Sequence, residues 1–139
     1  MADTNDERPL YEATPADRPT PSPAAEAPAI ACDWTVFDSA ERSAHTDNAT
    51  ALFAGAHALT ETEWGYAFQL GTDAASLRRA ADFIAHEGRC CPFFRFDLRV
   101  TPTDDRAWLE ISGGDGVKGY MQDQLLPRLE AIHPDWFGY

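Results

Sequence analysis

The chain has 139 residues, room for one domain with a real core, and its 44% apolar composition is that of a soluble globular protein. A formal net charge of −12 argues against nucleic acid or an anionic membrane as partner, because both are polyanions that such a surface repels. With no signal peptide and no apolar run of ~18 residues, the protein is expected to be cytoplasmic. Its three cysteines, an odd number, are therefore expected to be reduced.

Residues 1–29 hold six of the ten prolines, with Ala, Thr and acidic residues and almost no large apolar side chains, so they are read as a disordered acidic tail. Residues 30–139 are expected to form a single α+β domain. It opens at Ile30-Ala31-Cys32-Asp33-Trp34. A helix follows from Asp38, where Asp38 and Glu41 have capping-box spacing and Ala40, Ala44, Leu52, Phe53 and Ala56 supply a buried side, interrupted by the polar Thr46-Asp47-Asn48. Glu63 to Leu70 alternates, with Trp64, Tyr66, Phe68 and Leu70 on one face, and reads as a half-buried strand.

Gly71-Thr72-Asp73 supplies a turn and cap, and Leu77, Ala80, Ala81, Ile84, Gly88 and Cys91 recur at helical steps. Pro92 lacks an N–H and disfavours helical geometry before it, which predicts a helix end at Cys90-Cys91. Phe94 to Val100 alternates again and is joined through Thr101–Arg106 to Ala107–Ile111, an antiparallel hairpin. Val117, Met121, Leu125, Leu129 and Ile132 mark a last amphipathic helix, which Pro127 kinks or divides. The aromatic end, Trp136-Phe137-Gly138-Tyr139, is expected to pack back on the domain. The resulting order, α-β-α-β-β-α, is an α+β fold with a three-stranded antiparallel sheet and helices packed on one face.

The chemistry concentrates at Cys90 and Cys91. Adjacent Cα atoms lie ~3.8 Å apart, below the ~4.4 Å that an unstrained disulfide needs, so the pair is poorly placed to bridge itself. Glu87 precedes them by three and four residues and lies over both thiols on a helix. A helix C-terminus and a carboxylate both oppose thiolate formation, unlike the helix N-terminus of an activated nucleophile. A bound cation reverses that balance, and thiolates select soft ions.

Cys32 becomes a third sulfur if the first segment folds back over this helix end. The bland alternative is that the cysteines only fill the core. His86 and Cys90 give an H-E-x-x-C echo of a zinc-protease helix, with no further ligand of convincing spacing. Gly114-Asp115-Gly116-Val117-Lys118-Gly119 matches G-x-G-x-x-G but lacks the βαβ context of a dinucleotide site, and reads as a glycine turn into the last helix.

Four stretches, Ala31-Cys32, Gly65-Tyr66-Ala67-Phe68, Glu87-Gly88-Arg89-Cys90-Cys91-Pro92-Phe93-Phe94-Arg95-Phe96 and Leu109-Glu110-Ile111-Ser112-Gly113-Gly114-Asp115-Gly116-Val117-Lys118, together resemble a family of small, largely uncharacterised bacterial and archaeal proteins. The resemblance covers most of residues 30 to 126 and implies a compact α+β domain with a Cys, Glu, Cys-Cys set. The chain departs from the family where Gly88 interrupts the helix before the cysteines and where Gly113-Gly114 replaces Gly-Pro.

The leading expectation is a soft-metal binder of the Hg, Cu, Zn or As type, with Cys32, Cys90, Cys91 and Glu87 as the metal set and a small ion or small molecule as partner. Two alternatives stand beside it. One is a thiol-disulfide redox enzyme in which Cys90 or Cys91 attacks and Cys32 resolves. The other is a structural or interaction domain with packed cysteines.

Overall fold

A computed structural model describes residues 30–138; the expected tail, 1–29, lies outside them. The capping box forms as its spacing predicts. Asp38 accepts from the Glu41 N–H at 2.8 Å, Glu41 accepts from the Asp38 N–H at 3.1 Å, and helix α1 runs Ser39–Ala54 through the polar middle. Of its expected buried side, Leu52, Phe53 and the following Ala56 are enclosed, and His45 takes the place of the two early alanines. His45, Leu52 and Phe53 are enclosed, with Ala49 packed beside them, whereas Ala40 and Ala44 are exposed. Methyl groups lose that competition because the larger His45 and Phe53 rings bury more apolar area.

The sheet has four strands, not three. Strand β1, Ala58–Glu61, forms a hairpin with β2, Gly65–Leu70, in the register Leu59↔Phe68, and β3, Arg95–Thr101, pairs with β4, Arg106–Ser112. All neighbours are antiparallel, in the order β1-β2-β4-β3. The chain order is therefore α-β-β-α-β-β-α-α. The extra strand escapes a periodicity argument because Ala58-Leu59-Thr60-Glu61 offers one large apolar side chain and lies at a sheet edge, where a neighbour on one side suffices.

Helix α2, Ala74–Cys90, starts on the Asp73 cap and stops at Cys91, whose N–H still donates to Glu87 O. The last predicted helix is divided at Pro127 into α3, Val117–Gln124, and α4, Leu126–Ile132, with the proline in the first turn of α4, where its missing N–H costs nothing. Gly116 caps α3 in the left-handed region (φ 88°), so the glycine run is a turn, as expected. Trp136 and Phe137 do pack back on the core.

One sheet face, built by Tyr66, Phe68, Leu70, Ala107, Leu109 and Ile111, meets Leu52 and Phe53 of α1, Ala80 and Phe83 of α2, Val117 and Met121 of α3 and Leu129 of α4. The other face departs from the half-buried expectation. Ala67 and Trp108 pack together there, and Glu110 and Ser112 are buried as well. On the edge strand β3, Leu98 and Val100, in register with Leu109 and Ala107 of the helix-facing side, are more than a third accessible.

Gly65 is held by a close backbone approach. A Cβ there would run into the carbonyl oxygen of Ile111 and come within 2.8 Å of Ser112 Cα across the β2–β4 ladder. Gly65→Ala is expected to destabilise the domain by about 1–3 kcal/mol through strand displacement, read as a lowered Tm in thermal unfolding; an unchanged Tm would remove the close approach from the account.

Candidate functional site

Three sulfurs meet where the first described segment crosses the C-terminal end of α2. Cys32 lies just before a single 3-10 turn, Trp34–Val36, capped by Asp33, whose side chain accepts from Thr35 N–H. The last carbonyls of a helix lack intrahelical donors. Here the Asp33 N–H donates to Cys90 O at 2.7 Å, which seats the segment on the helix end. Arg89 reinforces the seat: it donates to Val36 O at 2.8 Å, pairs with Glu41 at 3.3 Å and lies over the Phe37 ring. Arg42 adds a bond from Nε to Trp34 O at 3.1 Å.

That seating corrects one expectation. Cys32 and Cys91 are joined by a disulfide, their Cα atoms 4.7 Å apart, so two of the three thiols are not free. Composition and cysteine count carry no information about this pairing, since it depends on a fold-back spanning 59 residues. The adjacent pair does not bridge itself, as its Cα spacing requires. Cys90 is the free thiol, fully buried, with Sγ 3.5 Å from Cys91 Sγ, 3.5 Å from Glu87 O and 3.8 Å from Glu87 Oε1. The four expected residues are thus brought together: one donor atom from each of Cys32, Glu87, Cys90 and Cys91 lies within 4.8 Å of all the others.

The electrostatics oppose ionisation of the thiol. Burial first, and then the Glu87 charge, push Cys90 up to about 12. Tyr120, whose hydroxyl lies 3.1 Å from Cys32 Sγ, is also raised above its ordinary value, by burial and secondarily by Glu87. Both groups are therefore protonated at neutral pH. Glu87 Oε1 accepts from His45 Nε2 at 2.7 Å, and His45 is almost wholly enclosed, with Nδ1 buried and without a partner.

Beside the cluster opens a cavity of about 430 Å³. Its inner wall is apolar, from Phe53, Phe83, Ile111 and Met121, while Thr46, Thr50 and Arg128, all exposed, stand at its outer part. Cys32, His45, Glu87 and Tyr120 line it, whereas Cys90 and Cys91 lie behind. The sulfur that a small molecule meets first is that of Cys32.

His45 is the residue bonded to this cluster that sequence reasoning misses. It shares a helical stripe with Glu41 and Ala49, but its partner Glu87 is 42 residues away on another helix, and nothing local signals the contact. His86 does not join the set: its Nδ1 donates to Asp82 O at 2.8 Å and its ring stacks on His45, so the H-E-x-x-C echo has no counterpart in the cluster. Among the described residues no helix is long and apolar enough to cross a membrane. No family model, no curated protein and no solved structure matches the chain, so the reading of this site rests on its own geometry.

Two outcomes follow from the cluster. Because the folded Cys90 lies at about 12 against an ordinary value of 9.0, its contribution to stability is complete below pH 9 and is lost as pH rises toward 12. In urea unfolding of the bridged protein, stability should fall with pH above 9 less steeply in Cys90→Ala than in wild type; equal slopes would show the thiol to be unshifted. Reducing the bridge frees a 59-residue separation and should lower the unfolding free energy by about 2–4 kcal/mol. The domain should nonetheless stay folded, because the Asp33 and Arg89 bonds do not depend on sulfur; loss of near-UV circular dichroism on reduction would show otherwise.

Proposed function

We propose that the reduced protein binds one soft cation through Cys32, Cys90 and Cys91, with Glu87 as proton acceptor or fourth ligand. The observation that carries this reading is the convergence of four donor atoms, from two segments distant in sequence, within 4.8 Å. Sulfurs arranged around one ion at ~2.3 Å stand ~4 Å from each other. The 3.5 Å between Cys90 and Cys91 is already close to that, and Cys32 and Cys91 reach it once their bond is reduced. A sulfur-rich donor set favours soft ions over Mg²⁺ or Ca²⁺.

The same electrostatics that keep Cys90 protonated favour a cation. A positive ion offsets the Glu87 charge and the desolvation of thiolates together, and its binding displaces thiol protons. Glu87 Oε1, 3.8 Å from Cys90 Sγ, is placed to take one of them. His45 orients that carboxylate in the manner of an outer-shell partner. In the bridged state two of the sulfurs hold each other, so uptake requires prior two-electron reduction by a dithiol.

The Cys32–Cys91 bond favours a second reading, thiol-disulfide exchange. In that case Cys32, which lines the cavity, is the exchanging sulfur and buried Cys91 resolves it, the reverse of the order read from the sequence. Expulsion of Cys91 as a thiolate beside Glu87, in an enclosed site, weighs against it.

Native mass spectrometry separates the readings. Reduced wild type is expected to retain one equivalent of Hg(II), As(III), Zn(II) or Cu(I), the oxidised form none, and Cys90→Ser and Cys91→Ser markedly less. Equal uptake by wild type and by the Cys90→Ser, Cys91→Ser double variant would sink the metal reading.

A further inference from the structure

The space beside the sulfurs is far larger than an ion needs. A bare cation held at ~2.3 Å from thiolates fits within the cluster itself, yet the adjoining cavity measures about 430 Å³. A closed apolar cavity of about 150 Å³ already holds benzene. The deep wall of Phe53, Phe83, Ile111 and Met121 offers no charge and no hydrogen bond to a hydrated ion or to a polar metal complex. It offers apolar surface within the same cavity that Cys32 lines.

We propose that the ligand of this site is a monovalent organometal cation, a soft metal carrying one apolar aromatic or alkyl group, with its metal on Cys32 and its organic group on the apolar wall. The inference rests on the soft-cation reading above and names its ligand class. Binding follows reduction of the bridge: a dithiol supplies two electrons and two protons, leaving thiols at Cys32 and Cys91. The Cys32 thiol then forms a sulfur–metal bond and gives up its proton to water, while the metal–carbon bond stays intact. Cys32 makes the first bond because it is the sulfur in the cavity, and Cys90 and Cys91, 3.5 Å from each other and absent from the cavity lining, complete the sulfur set of the soft-cation reading. Cys32 is the sulfur that lines the cavity, together with the exposed Thr46 and Thr50.

Cavity recognition distinguishes this ligand from a bare ion. Free cysteine competes for the metal but has no pocket for the organic group. Measured by competition with free cysteine, phenylmercury is therefore expected to bind the reduced full chain about tenfold to a hundredfold more tightly than methylmercury, the gain from burying a ring. Ala49→Phe fills the cavity from α1, where Ala49 is partly buried and lines it, and should abolish that preference while inorganic Hg(II) is retained one to one. Thr50→Trp, from an exposed lining position, gives the same comparison if Ala49→Phe fails to fold.

Hg(II) retention by wild type without a phenyl preference overturns this inference alone. A preference that survives in folded Ala49→Phe or Thr50→Trp overturns it too, since the ring then binds elsewhere. If neither Hg(II) nor phenylmercury is held by the reduced wild type, the soft-cation reading itself fails.

Discussion

The bond from the Asp33 amide to the carbonyl of Cys90 joins the first described segment to the end of α2, and the site depends on it. A helix C-terminus presents carbonyls that need donors, and a short segment with a free amide supplies one. Once Asp33 is fixed there, Cys32 is carried over Cys91 and the third sulfur arrives without any ligand to draw it in. Arg89 makes the arrangement robust by bonding Val36, pairing Glu41 and covering Phe37 at once, which ties the segment, α1 and α2 together. The covalent bridge therefore secures a seat that hydrogen bonds already define.

The cluster so assembled holds sulfur in an environment hostile to thiolates. Burial first, and Glu87 second, raise both Cys90 and Tyr120. Such a site is a poor nucleophile, and under the proposed soft-cation reading one cation would relieve the penalties of burial and of like charge simultaneously. His45 belongs to this balance: enclosed and bonded to Glu87, it fixes the carboxylate that faces the sulfurs.

Legibility in the sequence followed the range of the interaction. The Asp38–Glu41 capping box, the Asp73 cap, the stop at Pro92 and the division at Pro127 were all readable, since each is settled within four residues. The α+β class and the β3–β4 hairpin followed from alternation. Strand β1 was not readable, because an edge strand of four residues with a single leucine gives no periodic signal and is recruited by pairing with β2. Leu52 and Phe53 of α1 and Tyr66, Phe68 and Leu70 of β2 are buried as their periodicity predicts, whereas the exposure of Ala40 and Ala44 and the burial of the second face of β2 are not readable from it. Periodicity tells which residues share a face, but the neighbours on either side decide how much of that face water reaches.

Of the site, the sequence by itself determined the local half: Cys90, Cys91 and Glu87 on one helix end, with a dipole and a carboxylate that suppress thiolate formation. Only the tertiary structure decided the rest. The approach of Cys32, the disulfide in place of three free thiols, the support of Glu87 by His45 and the apolar cavity all join residues from separate elements, the sulfur bridge across a separation of 59. Such contacts are set by how whole elements pack and by the loop-closure entropy that packing offsets, neither of which leaves a mark in local spacing.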